Sequence, residues 1–87
     1  NTLIGGLAGD ALTTGGRNVA VGYEALSAED ETGYAVAVGY QALRAQNAGG
    51  NTYNVAVGYN AGESVTTGVD NILIGGLCWR CFNHRII

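Results

Sequence analysis

The chain contains no proline, no methionine and no lysine. Without proline, and without glycine at every third position, its 15 glycines cannot belong to a collagen triple helix. A chain that opens on Asn1 and carries no methionine is expected to be a piece or a processed form of a longer product. With lysine absent, Arg17, Arg44, Arg80 and Arg85 are the only strong cations, and the net charge is −3. Binding phosphates takes a concentrated basic patch, so a nucleic-acid partner is not expected. Charged residues make up only 13% and hydrophobic ones 47%, which is too apolar for a disordered chain. The long uncharged stretch at 45–62 is rich in Gly, Asn and Gln rather than continuous hydrocarbon, so no membrane insertion is expected. No charged-then-apolar leader opens the sequence.

What is present is a repeat. The block Asn-x-x-x-Gly occurs at Asn1–Gly5, Asn18–Gly22, Asn54–Gly58 and Asn71–Gly75, with a fifth copy at 35–39 in which Ala35 replaces the asparagine. Its glycines, Gly5, Gly22, Gly39, Gly58 and Gly75, are separated by 17, 17, 19 and 17 residues. The unit is therefore 17 residues long, with two extra residues in the third copy, around Gly49, Gly50, Asn51 and Thr52. Ala8, Ala25, Ala42, Ala61 and Cys78 all stand three residues after a repeat glycine. Tyr23, Tyr40 and Tyr59 follow the glycine in the inner copies, and Gly6 and Gly76 in the outer ones. Thr-Gly clusters at 13–16, 32–33 and 66–68 mark a corner in several units.

Within each block Val and Ile alternate with a middle residue: Leu3, Ala20, Ala37, Ala56 and Leu73. Such a pattern suits a short strand, where successive side chains point to opposite faces. The glycine ends the strand by allowing a turn that a β-branched residue resists. A strand this short cannot bury its own apolar face, whereas stacked copies pair in parallel about 4.8 Å apart. The expected fold is all-β: a parallel β-solenoid or β-roll of about five coils, starting at residues 1, 18, 35, 54 and 71 and covering 1–77. Glycine in nearly every half-unit argues against helical repeats, at about 1 kcal/mol each in a helix interior. Val and Ile are expected to ladder along a dry interior, and the alanines to form an outward stripe along which chains meet. Asn1, Asn18, Asn54 and Asn71 are expected to form a side-chain ladder at the coil corner, broken at Ala35. The Tyr23, Tyr40 and Tyr59 column reads either as stacking or as a stripe that contacts a receptor or glycan.

The units at 18–26, 35–43 and 54–62, of the form Asn-x-Ala-Val-Gly-Tyr-x-Ala-Leu, resemble shaft repeats of bacteriophage tail fibres. They are also similar to the Val-Ala-Ile-Gly strands in the β-roll heads of trimeric autotransporter adhesins, whose unit is shorter. The likeness covers residues 1–77 and is lost after Leu77. It implies a homotrimeric fibre segment on a virion or cell surface, with itself and a host-surface receptor or glycan as partners. The alternative is an extracellular filament subunit stacking end to end, since Leu-Ile-Gly-Gly-Leu recurs in the first and last copies.

Catalytic signals are weak. The single histidine, His84, lies in the divergent apolar tail 78–87, which reads as a cap on the stack. Cys78, Cys81 and His84 supply only three zinc ligands, so a metal site is disfavoured and the cysteines read as free thiols or a disulfide. The run Glu29-Asp30-Glu31 reads as a solvated loop rather than a calcium site. Thr13-Thr14 and Thr66-Thr67 recur in too few coils for a regular ice-binding array. Ser27 and Ser64 have no triad partners. No enzyme activity and no cofactor are expected.

Overall fold

The computed structural model describes residues 1–31 and 33–77, and each repeat block contributes one short strand. The strands are β1 (Thr2–Ile4), β2 (Val19–Val21), β3 (Val36–Val38), β4 (Val55–Val57) and β5 (Ile72–Ile74). They form a single sheet in chain order, every neighbouring pair parallel. Parallel neighbours cannot be joined by a hairpin. The rest of each unit therefore makes a full circuit back to the same edge, which is a β-solenoid with about four circuits linking five strands. The middle residues fall in one register column, Leu3–Ala20–Ala37–Ala56–Leu73. No helix occurs among the described residues.

The faces of the strands are reversed from the sequence expectation. Ala20, Ala37, Ala56 and Leu73 are completely buried, whereas the flanking Val and Ile side chains are half-buried or exposed. The alanine stripe is thus the inner lining, and the Val/Ile ladders lie outside. The reason is width. The inner wall of a coil meets the opposite wall of the same coil across a narrow interior, and that wall already carries Ala25, Leu26, Ala42, Leu43, Ala61 and Val65. Small residues on the strand leave room for the large ones opposite.

Side-chain size is matched between the two walls. Where the strand carries Ala20 or Ala37, the facing wall carries the buried Leu26 or Leu43. In the first coil the strand carries Leu3 and the wall position is Gly9; in the fourth both positions are small, Ala56 and Gly62, and Leu73 of the next coil and Leu43 of the previous one fill the space. A Cβ on Gly9 would stand 2.7 Å from Leu3 Cδ2, and one on Gly62 would stand 2.6 Å from Leu73 Cδ1. Bulk is therefore traded between the two walls, within one coil or with the next, and no room is left for a further Cβ at either glycine.

That facing wall is built of successive turns rather than strand. Backbone N–H groups of Ala8, Asp10 and Leu12 donate to the carbonyls of Gly5, Leu7 and Gly9, and the same three-residue steps recur in later coils. Such turns call for positive φ at their third residue. Leu7, Glu24, Leu26, Gln41, Leu43 and Asn60 adopt it at φ between 51° and 60°, although none is glycine. Each costs on the order of 1 kcal/mol. Inter-coil bonds offset this: Glu24 N donates to Gly6 O at 2.9 Å, Gln41 N to Tyr23 O at 2.8 Å and Leu26 N to Ala42 O at 2.9 Å.

At the strand end the constraint is absolute. Gly5, Gly22, Gly39 and Gly58 have φ between 122° and 138°, and each lies against the backbone of the glycine one coil on. A Cβ on Gly22 would sit 2.6 Å from the Gly39 carbonyl oxygen. Gly22→Ala is therefore expected to destabilise the protein by more than about 2 kcal/mol, combining backbone strain with a backbone clash. Leu43→Ala, which empties a filled interior, should cost about 2–5 kcal/mol. Urea denaturation midpoints of the two variants check both figures.

Candidate functional site

The surface presents one continuous band that combines the features singled out by the sequence. Counting along a strand, every second residue faces outward. The strands give the outward pairs Val19/Val21, Val36/Val38 and Val55/Val57; Tyr23, Tyr40 and Tyr59 stand just past the glycine at one end, and Arg17, Tyr34 and Tyr53, at φ 55–63°, at the corner on the other. Two apolar ladders are thus bordered on both sides by tyrosines. Ile4 is 59% exposed and Ile74 is 48% exposed, so the band stays open to solvent at both ends.

The tyrosines form two stacks. Tyr23 and Tyr40 lie with ring centroids 5.6 Å apart and planes 16° from parallel. Tyr40 and Tyr59 lie 5.2 Å apart at 9°. A second stack, Tyr34 on Tyr53 at 5.1 Å and 14°, runs along the opposite border. Arg17 continues it, its guanidinium carbon 5.5 Å from the Tyr34 centroid, within reach of a cation–π interaction. Sequence reasoning found the first stack and missed the second. Its members are 19 residues apart across the insertion, and Arg17 and Asp70 occupy the equivalent positions in flanking coils.

The asparagines hold the corner between these borders. Asn1 Oδ1 accepts from Asn18 N at 2.9 Å, Asn18 Oδ1 from Ala35 N at 3.0 Å, and Asn54 Oδ1 from Asn71 N at 2.9 Å. On the donor side, Asn1 Nδ2 reaches Gly15 O at 2.9 Å and Asn54 Nδ2 reaches Gly68 O at 2.8 Å. The Oδ1 atoms of Asn1, Asn18 and Asn54 therefore clamp the backbone of the next coil, while the Nδ2 atoms of Asn1 and Asn54 tie down the end of their own.

Ala35 cannot take this part, and a different polar group fills the interior beside the gap. Glu29 and Gln46, both completely buried, stand one coil apart in the column that elsewhere holds Leu12 and Val65. Gln46 Nε2 donates to Glu29 Oε1 at 3.3 Å, and Gln46 Oε1 accepts from Asn54 Nδ2 at 2.6 Å. The same Glu29 oxygen accepts from Ala48 N at 3.0 Å, in the lengthened segment, and Oε2 accepts from Glu31 N at 3.4 Å. The reading of residues 29–31 as a wholly solvated loop is corrected here: Glu31 is exposed, while Glu29 turns inward to accept backbone and amide donors that would otherwise be buried unpaired.

The remaining candidates are not brought together. Thr13 bonds to the Asp30 carbonyl through both its backbone and its hydroxyl. No group of three or more His, Cys, Asp or Glu side chains suited to a metal occurs among those residues, and no helix there is long and apolar enough to cross a membrane. Cys78, Cys81 and His84, and with them the cap assigned to 78–87, lie outside the described residues. Comparison of the chain with protein-family models, with curated protein sequences and with solved structures yields no match.

Two substitutions test the corner and the plug. Asn18→Ala strips the Ala35 amide of its acceptor, and Gln46→Leu leaves a buried Glu29 oxygen with one donor fewer. Each is expected to cost about 1–3 kcal/mol in the unfolding free energy read by chemical denaturation.

Proposed function

We infer that this chain is a non-catalytic structural segment of a surface fibre, of the kind found in bacteriophage tail fibres or bacterial adhesins, and that it works as a homotrimer on a virion or cell surface. The observation that carries this reading is the outward Val/Ile band with its tyrosine borders. A solenoid whose interior is already filled by Ala and Leu has no internal use for ten further strand positions that are nearly all β-branched and apolar.

The band is about 19 Å long, from five strands at roughly 4.8 Å spacing, with a tyrosine column at the corner on either side. It is a continuous exposed strip of apolar side chains, and such strips signal an interaction site. Val and Ile at the centre with tyrosine at the rim match the anatomy of protein interfaces. Contact through this band replaces the alanine stripe as the proposed surface where chains meet. Its area grows with every coil added, so a longer array binds its copies more tightly, as a shaft requires. The parallel hydrogen-bond ladders supply stiffness along the same axis, and the corner loops are free to meet a receptor or glycan.

Light scattering after size exclusion tests the assembly. The expected result is three times the 8.9 kDa chain mass. Val38→Lys, which puts a charge at the centre of the band without touching the interior, should shift the species to a monomer with unchanged circular dichroism. A monodisperse wild-type monomer would overturn the trimer, and very large species dispersed only by changes at β1 or β5 would favour end-to-end stacking.

A further inference from the structure

The two tyrosine columns have a chemical consequence separate from any docking role. We propose that they are sites of oxidative cross-linking, at which Tyr40 couples to Tyr23 or Tyr59, and Tyr34 to Tyr53, so that neighbouring coils become joined by carbon–carbon bonds.

Three observations carry it. The rings are held one coil apart, with centroids at 5.1–5.6 Å and planes within 16° of parallel, so each phenol stacks directly on another phenol. All five are exposed, Tyr34 least at 38% and Tyr59 most at 57%, so a small oxidant reaches them and two side-chain torsions remain free to tilt the rings together. The chain contains no methionine, which removes the thioether that would otherwise compete for oxidant.

The chemistry balances with a one-electron oxidant of the haem-peroxidase class and hydrogen peroxide as the terminal acceptor. Each of two phenols gives up one electron and its hydroxyl proton. The resulting radicals share spin with the ring carbons beside the hydroxyl, the Cε atoms, and a Cε–Cε bond forms between them. The hydrogen on each coupled carbon then moves to the ring oxygen and restores both aromatic rings. The pair has lost two hydrogens, and one peroxide has become two waters. Radical pairs on a fixed lattice meet at high effective concentration, which favours coupling within the chain over coupling between free chains. A link of this kind closes a loop between coils and restricts the unfolded state as a disulfide does. It is intrachain and needs only the rings at the rim of the proposed contact band, so failure of the trimer leaves it standing.

The experiment treats the full chain, its cysteines first alkylated, with horseradish-type peroxidase and peroxide, then isolates the single-chain band on a denaturing gel. The expected product has lost two hydrogens per link, shows the blue fluorescence of a biphenol, and after trypsin yields a joined peptide pair. Cleavage after Arg17, Arg44 and Arg80 places Tyr34 and Tyr40 in one peptide and Tyr53 and Tyr59 in the next, so links between coils three and four survive as a cross-linked pair. Tyr40→Phe and Tyr53→Phe keep the stacked rings while removing the phenols. The double variant should remain folded and lose the single-chain biphenol to background, and wild type oxidised in denaturant should show a several-fold lower yield. Biphenol that appears only in covalently joined chains, or that persists in the folded double variant, would overturn the proposal.

Discussion

Everything in this molecule depends on how closely one coil can lie on the next at the end of each strand. The Gly22 backbone touches that of Gly39, and Gly39 that of Gly58, with no space for a β-carbon between them. This contact fixes the stacking distance at the corner, and the strand ladder, the turn ladder and the tyrosine spacing all inherit it. A single side chain there would push two coils apart and open hydrogen bonds on both walls at once. The repeat glycine is therefore a spacer of zero thickness as well as a turn residue.

The strands, their parallel pairing, the period and the insertion were all legible in the sequence, because they follow from spacing alone. Which face pointed inward was not. The rule that β-branched residues line a core fails when the core is narrow, and the signal that could have corrected it lay in Leu3 standing where Gly9 is the facing wall residue, and in Leu73 reaching over Gly62 of the preceding coil. Size complementarity between columns is visible only once both columns are known to share an interior. The left-handed turns at Glu24, Leu26, Gln41 and Leu43 were equally hidden, since their side chains carry none of the usual turn preferences and their conformation is imposed by inter-coil bonds. Of the candidate surface, one tyrosine column could be read directly; the other was masked by the change of step between Tyr34 and Tyr53.

The polar plug shows how a repeat tolerates its own irregularity. Loss of the corner amide at Ala35 and gain of two residues near Gly49 occur in the same circuit. Glu29 and Gln46 answer both: one oxygen of Glu29 reaches Ala48 in the enlarged segment, and Gln46 reaches Asn54 at the next corner. An apolar pair in their place would match Leu12 and Val65 but would strip the Ala48 amide of its acceptor and leave Asn54 Nδ2 with Gly68 O alone. The departures from the pattern are thus mutually compensating, and they mark one coil as different from its neighbours, which discourages slippage of the stack by a whole unit.

The longer third circuit has a wider meaning. β3 and β4 pair in the same register as every other neighbour although two more residues separate them. Strand alignment is therefore set by contacts between coils and is indifferent to the contour length of the path that joins them. In such an architecture the circumference of a coil is a free variable, and the corner after Gln46 is a place where sequence can lengthen, diversify and be exchanged while the frame that presents it stays unchanged.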